Sequence, residues 1–416
     1  MNKVLVIGGG GREHAIVDAL SRSPQVSQIF CAPGNAGIAA QATLVNIKDT
    51  DVEGLLQFAK EQQIDLTVVG PEAALSVGVV DAFRAAGLPI FGHTKAATRI
   101  ESSKEFAKEI MMKYGVPTAG YRSFSDFDEA LAYVKEGGYP AVIKYDGLAA
   151  GKGVVIASNE EEAEAALRDM LLDASFGEGK VVIEDYLEGP EFSFMCFVDG
   201  GRVYPMPLAQ DHKRAYDGDK GPNTGGMGAY TPLPFITEAD ERFALEKVLK
   251  ATAEGMVAEG CPLSGVLYGG LMKTKQGIRV IEFNARFGDP ETEVILPLLD
   301  TDPFEVFSRI AKGQPLPPIR WRKEATVGVV LASNGYPGTY EKGHLIEGAD
   351  AFSGKIYHMG TKLQDGKLLT NGGRVMMCIM TGKDVKEAYA NVYDEIQKIH
   401  SDNLFYRKDI AHWAID

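Results

Sequence analysis

Glu282, Asn284 and Arg286, at alternate positions, are the residue types needed to move a phosphoryl group. A carboxylate and an amide oxygen are hard ligands suited to Mg²⁺, which takes one or two protein oxygens and leaves the rest to phosphates and water. An arginine one step further can hold the charge of a group in transfer. The three lie in Val280-Ile281-Glu282-Phe283-Asn284-Ala285-Arg286-Phe287-Gly288-Asp289-Pro290-Glu291, whose first residues alternate apolar and polar. That pattern reads as a strand with one face in a core, and residues two apart on a strand share a face. The plainer alternative is a half-exposed strand with a polar outer row. Against it, Gly288-Asp289-Pro290 stops the strand where a ligand site would open.

A second stretch supplies positive charge beside glycines. In Ala141-Val142-Ile143-Lys144-Tyr145-Asp146-Gly147-Leu148-Ala149-Ala150-Gly151-Lys152-Gly153-Val154-Val155-Ile156, two apolar runs flank a glycine loop. It is not a P-loop. Only three residues separate Gly147 from Gly151-Lys152, Gly153 replaces the hydroxyl residue, and a strand follows instead of a helix. A hairpin with a flexible tip can fold over phosphates, with Lys144 and Lys104, on a helix near 103–114, supplying charge. A structural hairpin with a solvated lysine is the alternative.

A third glycine group, Gly8 to Gly11, follows the strand Lys3-Val4-Leu5-Val6-Ile7 and opens a helix. The dinucleotide fingerprint fails here: Glu13 or His14 stands where its third glycine belongs, and Pro33-Gly34-Asn35 replaces the ribose-binding acid after the second strand. Free backbone N–H groups at such a turn still suit an anion, so a phosphate-bearing metabolite is expected instead of NAD. The alternative is a tight turn and nothing more. Further on, Gln210-Asp211-His212-Lys213-Arg214 leads to Gly221-Pro222-Asn223-Thr224-Gly225-Gly226-Met227-Gly228, a charged cluster followed by a small-residue loop in mid-domain. A solvated charge run is the plain reading of that cluster. The strand near 180–184 and its short connection to 191–198 suit backbone contacts to a purine, with an acid beyond for ribose hydroxyls.

Strands and helices alternate up to about residue 86, which implies a parallel sheet with binding loops at the carboxyl ends of its strands. Antiparallel pairs follow, then a Pro-rich joint at Gln314-Pro315-Leu316-Pro317-Pro318. Strands near 326–332, 355–358 and 374–380 and a helix near 384–399 read as a small α+β domain that packs and gives one wall of the site. The expected domains are 1–101, 102–322 with a lid subdomain at about 118–187, and 323–416, in a mixed α/β and α+β chain. A chain of 416 residues suits several cores. Its 57 acidic against 43 basic residues, net −14, argue against nucleic acid and anionic membranes as partners. The four cysteines, Cys31, Cys196, Cys261 and Cys378, form no CxxC or Cys/His cluster, which suits a reduced, cytoplasmic setting. No signal peptide and no membrane span are expected.

Taken together, these stretches resemble ATP-grasp ligases, and closely the glycinamide ribonucleotide synthetase (phosphoribosylamine–glycine ligase) family of purine biosynthesis. The resemblance covers essentially the whole chain. It rests on Val6 to His14, Ile143-Lys144 with Asp146 to Gly153, Gln210 to Arg214, Asn223 to Gly228, and Glu282-Phe283-Asn284 with Arg286 to Glu291. It implies a pre-ATP-grasp domain, an ATP-grasp domain with a hairpin lid, and a C-terminal domain. The implied reaction joins glycine to 5-phosphoribosylamine at the expense of ATP, with Mg²⁺ or Mn²⁺, through a glycyl phosphate. No activated Ser or Cys dyad is visible, so phosphoryl transfer to the glycine carboxylate is the natural activation.

By the resemblance, Lys104, Lys144, Gly147, Gly151, Lys152 and Gly153 go to the ATP phosphates. Glu184, Leu187 and Glu191 go to adenosine, Glu282 and Asn284 to the metal, and Arg286 to the acyl phosphate. Asp211 is placed on the glycine ammonium. Gly8, Gly9, Gly10, Gly11, Asn35, Glu72, Lys213, Asn223, Thr224, Gly225 and Gly226 go to the substrates. One departure stands out: many ATP-grasp enzymes carry a second carboxylate on the strand before the metal strand, and Tyr268-Gly269-Gly270-Leu271-Met272-Lys273 has none. The rival classes are a nicotinamide oxidoreductase and a nucleotide-binding sensor without turnover.

Overall fold

The computed structural model describes residues 1–149 and 151–416; Ala150 of the glycine loop lies outside the described residues. The first strand, Asn2–Gly8, is the centre of a five-stranded parallel sheet in the order Thr43–Leu44, Val26–Pro33, Asn2–Gly8, Leu66–Val69, Ile90–Phe91. Its unbroken apolar run is explained by burial on both faces. Val4 and Val6 pack with Ala15 and Ile16 of the helix Gly11–Ser21, while Leu5 and Ile7 pack with Leu55 and Phe83 on the other side.

Two antiparallel four-stranded sheets follow. One has the order Tyr121–Phe124, Val181–Asp185, Ala141–Tyr145, Val154–Ala157, and pairs Lys144 with Val154 across the hairpin that carries the glycine loop. Alternation divides its faces. Ala141, Ile143, Tyr145, Val181 and Ile183 form a core with the helices Phe127–Gly137 and Glu160–Leu167, so Lys144 and Glu184 face the opposite way. The other sheet has the order Arg202–Pro205, Glu191–Asp199, Ser264–Thr274, Gly277–Asn284. The cleft between these two sheets holds most of the residues singled out above.

The last sheet crosses the line drawn at the Pro-rich joint. Gly228–Thr231, from the middle of the chain, pairs with Ala325–Ser333, and Gln210–Asp211 pairs with Gly228–Thr231 in turn. Arg374–Gly382, Lys355–His358 and the short strand Leu404–Phe405, which pairs with Ala325–Ser333, complete it. Periodicity locates strands but not their partners, so the sequence alone did not reveal this sharing. Its consequence is that Asp211 is held by the same sheet that carries Arg374. The aromatic rings of Phe91, Phe197, Phe287 and Phe307 pack together at 5.0–6.4 Å and fasten the parallel-sheet region to the floor of the cleft. Among the described residues no helix is long and apolar enough to cross a membrane.

Candidate active site

The strand Gly277–Asn284 turns Phe283 into the core and leaves Glu282 and Asn284 on the cleft face, as alternation requires. Its register shifts so that Gly270 faces Glu282 while Leu271 faces Val280. Ile281 is therefore a bulged residue, and its carbonyl accepts a hydrogen bond from Lys144 Nζ at 2.9 Å. Roof and floor of the cleft meet at that bond. Gly270 leaves the space opposite Glu282 free of any side chain. Among the described residues the Glu282 carboxylate has no hydrogen-bond or ion-pair partner. Burial opposes its charge, yet the Lys104, Lys144, Lys213 and Arg286 cations prevail and hold it below the usual carboxylate range. An ionised, unpaired carboxylate beside an amide oxygen fits a hard divalent cation.

Arg286 lies just past the strand. It bonds the Asn284 Oδ1 at 3.2 Å and pairs with Glu101 Oε1 at 3.2 Å and Glu72 Oε2 at 3.4 Å. Glu101 also accepts the Ala285 N–H at 2.6 Å. Glu101 was missed in the sequence because it closes the helix Lys95–Ser102 far from any motif. Its signal is a buried acid, and burial is legible only in three dimensions. Together Glu101 and Glu72 fix the guanidinium against the ring of Tyr268, 6.0 Å below it. The Tyr268 hydroxyl is 2.8 Å from both Glu291 Oε1 and Ser193 Oγ.

The nucleotide residues divide. Lys104 Nζ reaches the Gly147 carbonyl at 3.4 Å, and Asp146 Oδ1 accepts from the Lys104 N–H at 2.6 Å, so the lysine and the root of the glycine loop are tied together. Lys144 pairs with Glu184 Oε1 at 3.0 Å, and Lys108 Nζ is 3.4 Å from the same oxygen. The Glu184 carboxylate is thus occupied between two lysines. Removing it would strand buried charge at about 3–5 kcal/mol, which gives its side chain a structural duty before any contact with adenosine. Burial brings the Lys108 ammonium down to about 8, with the Glu184 charge opposing and Lys144 adding. Leu187 lies in the connection between the two sheets. Glu191 pairs with Lys213 at 3.1 Å. Lys152 is exposed on the hairpin tip with Gly151, while Gly153 is buried below.

At the glycine turn, expected as an anion seat, one backbone donor is taken within the protein. The Gly10 N–H already donates to Glu13 Oε2 at 3.0 Å, and a side chain at Gly8 or Gly70 would collide with Glu13. Asp289 and Glu293 approach Gly10 and Gly11 from the other side. Among the described residues both Glu293 oxygens lack partners, and burial followed by the Asp289 charge holds its carboxyl well above the usual range. Arg12, paired with Glu13, and Arg374, paired with Asp289, offset these acids, so the turn carries both signs of charge. Asn35 is likewise committed: it accepts from the Gly37 and Ile38 N–H groups and donates to the Gly9 and His358 carbonyls. Its amide braces the turn against the C-terminal sheet.

Loop 223–226 is tied by the Thr224 hydroxyl, which donates to the Lys213 carbonyl and accepts from the Gly226 N–H. Asn223 is exposed at the end of the strand Lys220–Asn223. Two residues the sequence did not mark hold this loop: the Tyr336 hydroxyl accepts from Gly225 N–H at 3.0 Å, and Arg374 donates to the Gly225 carbonyl at 3.0 Å while pairing with Asp289 at 3.2 Å. The C-terminal region therefore supplies a wall of the site.

With this geometry in view, comparison with known proteins gives one answer along the chain. Residues 2–101, 102–292 and 326–413 match the N domain, the ATP-grasp (A) domain and the C domain of phosphoribosylglycinamide synthetase. A phosphoribosylamine–glycine ligase of Halalkalibacterium halodurans is 51% identical over 416 residues, covering 99% of this chain and 97% of that one. The chain belongs to the phosphoribosylglycinamide synthetase family. A crystal structure of the phosphoribosylamine–glycine ligase of Thermotoga maritima superposes with a TM-score of 0.88 at 36% identity, covering 98% of this chain and 100% of that one. The biotin carboxylase domain of the Hydrogenobacter thermophilus 2-oxoglutarate carboxylase, solved with MgADP and bicarbonate, shares the fold at a TM-score of 0.76 and 19% identity. It covers 97% of this chain and 91% of that one. The family's three-domain architecture, with the parallel sheet first and the ATP-grasp sheets in the middle, is the one described above.

Proposed function

We propose that this chain is an ATP-dependent ligase that joins glycine to 5-phosphoribosylamine, giving glycinamide ribonucleotide, ADP and phosphate. The observation that carries the reading is the meeting of Lys104, Lys144, Glu282, Asn284 and Arg286 in one cleft, in a chain whose relatives bear that activity in their names. Lys104 and Lys144 neutralise the phosphates of ATP. Glu282 and Asn284 hold Mg²⁺, or Mn²⁺ on the same oxygen donors; when bound, the ion would offset phosphate charge during transfer. Arg286, fixed by Glu101 and Glu72, takes the charge of the phosphoryl group as it passes to the glycine carboxylate. The glycine turn with Glu72 takes the sugar amine and its hydroxyls. Lys152, Gly151 and Gly153 close over the nucleotide and keep water from the acyl phosphate. Four buried, unpaired cysteines support a reducing, cytoplasmic setting.

The dinucleotide alternative has no seat, because Glu13 occupies the Gly10 N–H where a pyrophosphate would bind. The sensor alternative separates from the ligase by turnover. With ¹⁸O in the glycine carboxylate, one label is expected in the released phosphate; unlabelled phosphate overturns the glycyl phosphate route, and ADP release independent of glycine and amine overturns the ligase.

A further inference from the structure

The polar contacts that join the roof of the cleft to its floor include one lysine with no role so far. Lys108 lies one helical turn beyond Lys104 on the helix Lys104–Lys113, and its side chain is 2% exposed. Its ammonium donates to the Thr118 hydroxyl at 2.8 Å and the Ala119 carbonyl at 3.2 Å, and pairs with Glu184 Oε1 at 3.4 Å. The Thr118 hydroxyl donates onward to the Val280 carbonyl at 2.7 Å. Lys144 pairs with the same Glu184 oxygen at 3.0 Å and donates to the Ile281 carbonyl at 2.9 Å. These contacts run from Val280 through Thr118, Lys108, Glu184 and Lys144 to Ile281. They form a closed ring that starts and ends on the strand carrying Glu282 and Asn284. Thr118 and Ala119 lead the chain into the hairpin-bearing sheet, and Glu184 stands where the chain leaves it.

An ammonium has three protons to give. Lys108 meets three acceptors within the protein and has none left for a ligand. Lys144 meets two, so among the described residues one of its protons is unclaimed. Two ammoniums on one carboxylate also leave the trio with an excess positive charge, in a buried place where unbalanced charge is costly. We propose that Lys108 is a positioning residue that neutralises Glu184 and so leaves the charge of Lys144 available to the phosphates of ATP. This rests on the reading above that Lys144 holds those phosphates. Without Lys108, the Glu184 carboxylate keeps Lys144 to itself, and the pair offers a phosphate no net charge. Lys108 itself touches no ligand and acts through Glu184.

Binding of a non-hydrolysable ATP analogue with Mg²⁺, and of adenosine, to the full-length protein separates the phosphate part of the site from the nucleoside part. Lys108→Met should weaken the analogue about 10–100-fold, the worth of a hydrogen bond to a charged group, and leave adenosine within about twofold. Lys108→Met combined with Glu184→Gln restores one excess positive charge and should recover most of the lost analogue affinity. Equal loss for analogue and adenosine makes Lys108 a packing residue and overturns the proposal. Unchanged binding of both, or a double variant no better than the single one, overturns it as well. If Lys108→Met does not fold, a pH series reads the same charge. Burial brings the Lys108 ammonium down to about 8, with Glu184 and Asp185 opposing and Lys144 adding, and the Tyr121 ring lies 5.6 Å away. As pH rises through that value the proton is lost, so analogue binding should weaken in the wild type and stay level in Lys108→Arg. A level wild-type profile then overturns the proposal. Lys144→Ala that keeps its analogue affinity overturns the phosphate reading of Lys144, and this proposal falls with it. Loss in Lys144→Ala with none in Lys108→Met overturns the proposal alone.

Discussion

The two glycine-bearing stretches of the cleft are built on opposite terms. From Asn284 to Glu291 the amide and charged side chains have partners inside the protein: Asn284 with Arg286, Arg286 with Glu72 and Glu101, Asp289 with Arg374, Glu291 with Tyr268. Gly288 there lies among close contacts, where a side chain would collide with Glu291. In the hairpin tip, Leu148, Gly151 and Lys152 are exposed, and a side chain at Gly151 would meet open space. Gly151 has φ +77°, and the bond from Lys152 N–H to the Ala149 carbonyl is local. Glycine excludes side chains in the first stretch and loosens the backbone in the second. The first region is preorganised for charge; the second has little to oppose opening.

The hardest test of that contrast is Glu282→Ala. Among the described residues the carboxylate has no partner to abandon, so the variant should fold with an unchanged thermal midpoint and lose all measurable turnover. Near-wild-type turnover at ordinary Mg²⁺ would remove the metal assignment. Arg286→Ala should be the next largest, lowering kcat by about 10²–10³ with little change in nucleotide affinity. A variant that loses nucleotide affinity and keeps kcat would move Arg286 from transition-state charge to ground-state binding. The smallest effect is expected at the tip. By hydrogen exchange, residues 147–149 and 151–153 should exchange among the fastest in the free enzyme and gain protection with a non-hydrolysable ATP analogue and Mg²⁺, while 282–293 stays protected in both. Equal protection of the tip with and without nucleotide would make the hairpin rigid and erase the contrast.

Much of this was legible along the chain. The strand ending at Asn284, the hairpin around the glycine loop and the helix Lys104–Lys113 with its Ser103 cap follow from period and punctuation, because local backbone preferences set them. The alternation that puts Glu282 and Asn284 on one face is equally local. The sequence also contained Asp211 beside Lys213, but not which of the two would be paired. What only the tertiary structure decided is pairing between distant residues. Glu101 reaches Arg286 across 185 positions of sequence, Arg374 reaches Gly225 across 149, and Gly228–Thr231 joins a sheet built mostly from the far end of the chain. The Gly8–Gly11 turn shows the limit from the other side. Its glycines promise free N–H groups, and only the fold brings Glu13, Asp289 and Glu293 around them. Charge acts through space, and a one-dimensional pattern carries a residue's type without the dielectric and the neighbours that fix what it does.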